Sequence, residues 1–192
     1  MKKFKRRGRL LQCRFSEYEV KLLDSLVDQL SELIRVGMPE PAAPGTPATA
    51  DPFALWERDL TAEPADPEPL EDPVLQRLFP NAYPHDPEAA HDFRRFTEHD
   101  QRTRKLADAD VVRDHLAATE GGRYPVQIDE TATQAWLRTL TAVRLAVATR
   151  LGVTDADSLD ELAQLRDDDP RSYLLSVYEW LGYCQESLLE AL

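Results

Sequence analysis

The chain has 192 residues, 42% of them hydrophobic, and a formal net charge of −12 at pH 7, enough for one domain with a sizeable core and too short for two of ordinary size. No apolar run approaches the roughly 18 residues that cross a bilayer, and the basic N-terminus lacks the apolar stretch and small-residue cleavage site of a secretory signal, so a soluble, cytoplasmic protein with no membrane contact is expected. Cys13 and Cys184 stand at opposite ends of the sequence and match neither a metal-binding nor a thioredoxin-like spacing, which excludes a disulfide scaffold.

The first 14 residues carry seven cations, Lys2, Lys3, Lys5, Arg6, Arg7, Arg9 and Arg14, and no acid, so the remaining 178 residues sum to −19. Arm and body have opposite signs. Such an arm can add sequence-independent affinity for phosphates by releasing counterions. The body repels a duplex within a Debye length of roughly 8 Å, so DNA contact, if made, belongs to Lys2, Lys3, Lys5, Arg6, Arg7 and Arg9. The alternative is an arm that pairs with acids of its own body or is simply solvated.

Within the arm, Gly8 is a turn candidate, and Leu10, Leu11, Cys13 and Phe15 supply apolar positions, which predicts a short strand or hairpin. Ser16 with Glu19 is a capping box, and Phe15 with Val20 its hydrophobic staple. Val20, Leu23, Leu26, Val27, Leu30, Leu33 and Ile34 then recur at helical spacing until Gly37. From Met38 to Pro73 the composition shifts: nine of the fourteen prolines fall there, so a loop or linker insertion over 38–73 is expected. Phe53, Trp56 and Leu60 sit at helical spacing inside it and are expected to dock on the core or on a partner.

Val74 to Phe79 reads as one short turn. Asp86 and Pro87 supply a cap and a first-turn proline for a helix, and Thr97 with Asp100 looks like a second start, so a bend near Phe96 is expected before the chain runs on to Leu116 and stops at Gly121 and Gly122. Tyr124, Val126 and Ile128 alternate as a brief edge strand. Asp129 then caps a helix from Glu130 to about Leu151 whose buried stripe includes Trp136, Leu140, Val143, Val147 and Leu151, with Gly152 as the stop. A short helix near Leu159 to Leu165 and a last one capped by Asp169 and begun by Pro170 follow, the latter turning Leu174, Val177, Tyr178, Leu181, Cys184 and Leu188 inward. The fold class is therefore mainly α: a single-domain helical bundle over 1–192 with a small N-terminal hairpin or strand pairing.

The motifs of catalysis are missing. None of the seven glycines builds GxGxxG or GxxxxGK[ST], and no serine sits in a nucleophile elbow. His91 and His99 could share a helical face but lack the i, i+3 or i, i+4 ligand spacing of a metal site, so they read as solvated. The run Asp167 to Asp169 reads as a loop and helix cap. No enzyme activity, cofactor or metal is expected. Arg144 and Arg150 lie in the most apolar helix, where a guanidinium needs a carboxylate or several carbonyls; an ion pair, a snorkelling stem and partner recognition are the three readings.

Trp136-Leu137-Arg138 through Arg144-Leu145 to Arg150-Leu151-Gly152, with Val177-Tyr178-Glu179-Trp180-Leu181, Gln185-Glu186-Ser187-Leu188 and the central Leu78-Phe79-Pro80-Asn81-Ala82-Tyr83, resemble the actinobacterial domain-of-unknown-function family numbered 2017. The resemblance covers almost the whole chain apart from the proline-rich insertion, and the sequence departs from the family pattern at Thr141, Ala142 and Ala148. Some members are described as oxidative-stress transcriptional regulators. The resemblance therefore implies a non-enzymatic regulator acting through protein contacts, with a sigma factor or polymerase as partner. An adaptor or oligomeric scaffold without DNA binding is the alternative, and a homo-oligomer stays open. Redox sensing would fall to Cys13, beside Arg14, and to Cys184, two residues that burial as small hydrophobes would silence. Trp136, Arg144, Arg150, Tyr178 and Gln185 are the candidates for a structural or partner-binding role.

Overall fold

A computed structural model describes residues 1–38, 67, 69–166 and 168–192. The chain opens with β1 (Lys5–Arg7) and β2 (Leu10–Cys13), then α1 (Glu17–Arg35), α2 (Pro73–Leu78), α3 (Pro87–Ala117), β3 (Val126–Ile128), α4 (Glu130–Leu151), α5 (Ala156–Leu162) and α6 (Pro170–Leu189). The protein is mainly α, with one small antiparallel sheet in the order β1-β2-β3. Most of the proline-rich stretch, including Phe53, Trp56 and Leu60, lies outside the described residues, as does Asp167.

Local signals set most boundaries. The predicted box at Ser16 is formed: the Glu19 N–H donates to Ser16 Oγ, and the Ser16 N–H to Glu19 Oε2 at 2.7 Å. Asp72, Asp86, Asp129 and Asp169 each accept a first-turn backbone N–H, three of them ahead of a proline whose missing N–H costs the helix nothing there. Gly152 takes the left-handed conformation (φ +76°) that ends α4.

Two boundaries differ from the sequence expectation. Thr97 starts nothing: α3 runs unbroken for 31 residues, because the Thr97 hydroxyl donates back to the Phe93 carbonyl at 2.7 Å instead of capping. The short helix predicted near Leu159 to Leu165 begins and ends three residues earlier, since Asp155 and Ser158 form their own box.

Helix α4 is the centre, with α2, α3 and α6 packed against it and α1 against α3. The expected stripe Trp136, Leu140, Val143, Val147 and Leu151 is wholly buried, as are Val177, Leu181, Cys184 and Leu188 of α6, while Leu174 and Tyr178 are half-buried. The sheet closes one end of this core. Phe4, just before β1, meets Phe15 and Trp136 edge-on with ring centroids 6.1 Å away in both cases, and its N–H donates to Ser187 Oγ of α6 at 2.7 Å.

A second tie was invisible in the sequence. Arg102 of α3, 5% exposed, binds Glu98 one turn away and reaches the carbonyls of Ile34 and Val36 at the end of α1. Its guanidinium lies over the Phe79 ring, 5.1 Å from the centroid. One side chain thus supplies the acceptor-rich end of α1 with donors and fixes α1 to α3.

Candidate functional site

The register of the sheet decides where the basic arm points. Lys5 pairs with Gln12 and Gln12 with Gln127, while Arg6 pairs with Leu11 and Leu11 with Ile128. Directly paired residues share a face, so Leu11, Cys13, Val126 and Ile128 face the core and Lys5, Arg7, Gln12 and Gln127 face outward. Part of the arm pairs with the protein's own body and part is solvated. Lys3 pairs with Glu190 at 2.8 Å, and Arg6 donates to the Leu192 carbonyl at 2.7 Å. Lys5, Arg7 and, in the turn, Arg9 are exposed and have no hydrogen-bond or ion-pair partner among the described residues. Lys2 is exposed too, tied through its backbone alone, its N–H to the Arg14 carbonyl and its carbonyl to the Cys13 thiol. Arg14 turns away toward the Arg123 carbonyl. The arm is a folded ribbon with a cationic outer face.

The five candidates of the helices separate into three places. Trp136 is fully buried, and its Nε1–H donates to His115 Nδ1 at 3.0 Å, so it is part of the core. Arg150 makes a structural ion pair with Asp72, the cap of α2, at 2.6 Å. Arg144, Tyr178 and Gln185 do come together. The Arg144 guanidinium stacks 4.7 Å from the Tyr178 ring centroid and makes a long contact of 3.4 Å to Gln185, which itself donates to Thr141. Among the described residues Arg144 has neither a carboxylate nor a set of carbonyls around it, only the distant Gln185 amide oxygen; Gly182 leaves room for it, since a Cβ there would stand 3.2 Å from the guanidinium. The aromatic face takes the place of the counter-ion.

The cysteines are both free and buried. The Cys13 thiol donates to the Lys2 carbonyl at 2.9 Å, and burial pushes its pKa up to about 12. Arg14, adjacent in sequence, does not lower it: its guanidinium donates to the Arg123 carbonyl instead. Cys184 is raised further by burial and by the nearby Cys13. Burial thus disfavours in both residues the thiolate that redox chemistry requires. His91 and His99 are exposed on α3, and among the described residues no three His, Cys, Asp or Glu side chains stand where a metal could be held.

A cavity of about 340 Å³ between α3 and α4 was not anticipated. Leu30, Leu78, Leu137 and Leu145 make its apolar wall. Asp108 and Arg138 cross it as a bidentate pair, 2.6 and 2.7 Å. Lys105 enters half-buried, with the Phe79 ring 5.6 Å below its ammonium. No single motif could have announced this site, because its polar groups come from two helices separated by a turn and a strand.

No helix among the described residues is long and apolar enough to cross a membrane. No curated protein and no solved structure matches the chain. The family model described as a domain of unknown function (DUF2017) matches residues 1–192, the same family that the arginine helix and the Leu78-to-Tyr83 segment resemble, and the chain belongs to it.

Proposed function

We propose that this protein is a non-enzymatic regulatory binding protein, of the transcription-controlling kind that the family resemblance implies, and that it meets a protein partner on the outer face of its sheet. The observation that carries this reading is the set Lys5, Arg7 and Arg9, exposed without partners among the described residues on a ribbon attached to an otherwise acidic body. Cations held on paired strands lose little conformational freedom on binding, which favours an acidic protein surface small enough to avoid the negative body. An extended duplex would face that body within a Debye length. Support for a binding role also comes from three buried polar residues that are occupied structurally: Arg102 at the end of α1, Ser187 on the Phe4 N–H and Thr119 on the Leu116 carbonyl. With both thiols buried, an oxidative-stress role would be exerted through the partner and not by a Cys13–Cys184 disulfide.

The test uses the full chain and purified RNA polymerase holoenzyme, the partner that the resemblance implies. Binding should fall at least tenfold in the Lys5→Gln/Arg7→Gln/Arg9→Gln variant and decline with rising salt, while the thermal midpoint stays put. Undiminished binding by the variant, or none by the wild type, overturns the proposal. The second reading, an adaptor without DNA binding, is favoured by the burial of Phe4, which makes the arm part of the fold. A mobility shift with duplex DNA that disappears in the triple variant would eliminate it.

A further inference from the structure

The cavity between α3 and α4 lies outside the proposed docking face and combines three features that a structural role does not use. The first is Thr139. Thr133, Thr141 and Thr149 of the same helix each donate to the carbonyl four residues back, at 2.7, 2.7 and 2.8 Å, and Thr131 donates to Asp129. Thr139, 3% exposed, does not; its buried hydroxyl has no hydrogen-bond partner among the described residues, and the residue is part of the cavity wall. The second is Lys105, whose ammonium has no acceptor among the described residues and only the Phe79 ring beneath it. The third is the sign of the wall. Arg104, Lys105 and Arg138 face one carboxylate, Asp108, in a protein of net charge −12.

We propose that this cavity is a binding site for a small organic monocarboxylate with an apolar body, the carboxylate taking hydrogen bonds from Lys105 and Thr139 and the body lying against Leu78, Leu137 and Leu145. A residue with a buried, unpartnered hydroxyl and one with a half-buried ammonium on the wall of one cavity supply the donor types that a carboxylate needs and that an uncharged ligand would leave unmatched. Arg138 is committed to Asp108 in a bidentate pair, so one cation is left inside and a second, Arg104, at the exposed mouth. A dianion such as phosphate would meet the Asp108 carboxylate with too few donors to offset it; a monoanion needs only what is there. The volume falls at the lower end of the range of small-molecule pockets, about 300 to 1,000 Å³, and the leucines give it the apolar surface that a phosphate would not use. Burial also holds the Lys105 ammonium below the ordinary lysine pKa of 10.5, as expected of a cation whose anion would arrive from outside.

Calorimetric titration of the full chain with octanoate, octanamide and inorganic phosphate reads the proposal directly. Octanoate should bind at least tenfold more tightly than octanamide or phosphate, and Lys105→Met should reduce octanoate affinity at least tenfold with an unchanged thermal midpoint. Equal binding of octanoate and octanamide would make the cavity a plain apolar slot, and equal or better binding of phosphate a bare anion site; either result overturns the assignment, as does a Lys105→Met protein that binds octanoate normally. Should that variant fail to fold, the wild type still decides: octanoate should protect Lys105 from acetic anhydride, read by mass spectrometry, and octanamide should not. Acetylation of Lys105 at the same rate with and without octanoate ends the proposal. Because none of these readouts involves Lys5, Arg7 or Arg9, their failure is separable from that of the partner-docking reading.

Discussion

At Gly122 a backbone torsion and a close approach coincide. Its φ is +85°, and a Cβ there would stand 2.8 Å from the Phe15 carbonyl oxygen and 3.0 Å from the Ser16 carbonyl carbon, both backbone atoms at the start of α1. Gly8, in the hairpin turn, has φ +62° and open space around it. Gly122→Ala should therefore lose about 3 kcal/mol of stability and Gly8→Ala only about 1 kcal/mol, compared by urea unfolding; equal losses would mean that the packing of the 119–122 turn on α1 is unimportant. Arg102 illustrates the same point with a charge. Its three kinds of partner, Glu98, the α1 carbonyls and the Phe79 ring, lie on three elements, and breaking such a buried network costs about 3–5 kcal/mol. Nothing in the sequence around Arg102 sets it apart from Arg94, Arg95 or Arg104.

Helices declare their starts locally, and the aspartate caps make those starts sensitive to pH. The Arg171 guanidinium, with the Arg171 N–H, holds Asp169 at about 2, below its ordinary 3.8. Asp129 and Asp155 are lowered in the same direction, chiefly by the N–H of Ala132 and of Ser158 respectively. A carboxylate whose folded pKa is depressed contributes stability that is fully present above its unfolded pKa and is lost as pH falls through the folded value. The thermal midpoint should thus be flat above about pH 5 and drop between about pH 4 and 2. In Asp169→Asn, which can still accept the capping N–H but has no charge for Arg171, the midpoint at neutral pH should be lower and the acid slope shallower. A slope identical to wild type would show that the cap does not titrate with unfolding. Thr97 shows where local signals mislead: the same hydroxyl that caps a helix from outside can bond backward within one, and only the packing of α3 along α1 and α4 decides which.

For the whole molecule, sheet and helices share one core, so the basic arm cannot be removed without cost. Deleting residues 2–9 takes away β1 and the buried Phe4 ring, a loss comparable with a large core truncation, about 3–5 kcal/mol. The glutamine variant at Lys5, Arg7 and Arg9 changes exposed side chains only, each within about 0.5 kcal/mol. In wild type, far-UV dichroism and tryptophan fluorescence should report one coincident urea transition; the deletion should shift it far to lower urea, and the triple variant should leave it in place. Separate transitions for the two signals would contradict a shared core.

What the sequence determined by itself are the properties carried by neighbours along the chain: the capping boxes, proline starts and glycine stops of the helices, the buried stripes of α4 and α6, the turn at Gly8, the opposed charges of arm and body, and the family. Tertiary structure decided what depends on residues far apart in sequence. It turned Lys5 and Arg7 outward and Arg6 toward the C-terminus, gave Arg144 an aromatic ring in place of a carboxylate, buried both thiols, and placed Lys105 of α3 and Thr139 of α4 on the wall of one cavity. The reason is physical: a cap or a hydrophobic period acts over about four residues, whereas the solvation and partners of a charge are set by whatever the fold brings within a few ångströms of it.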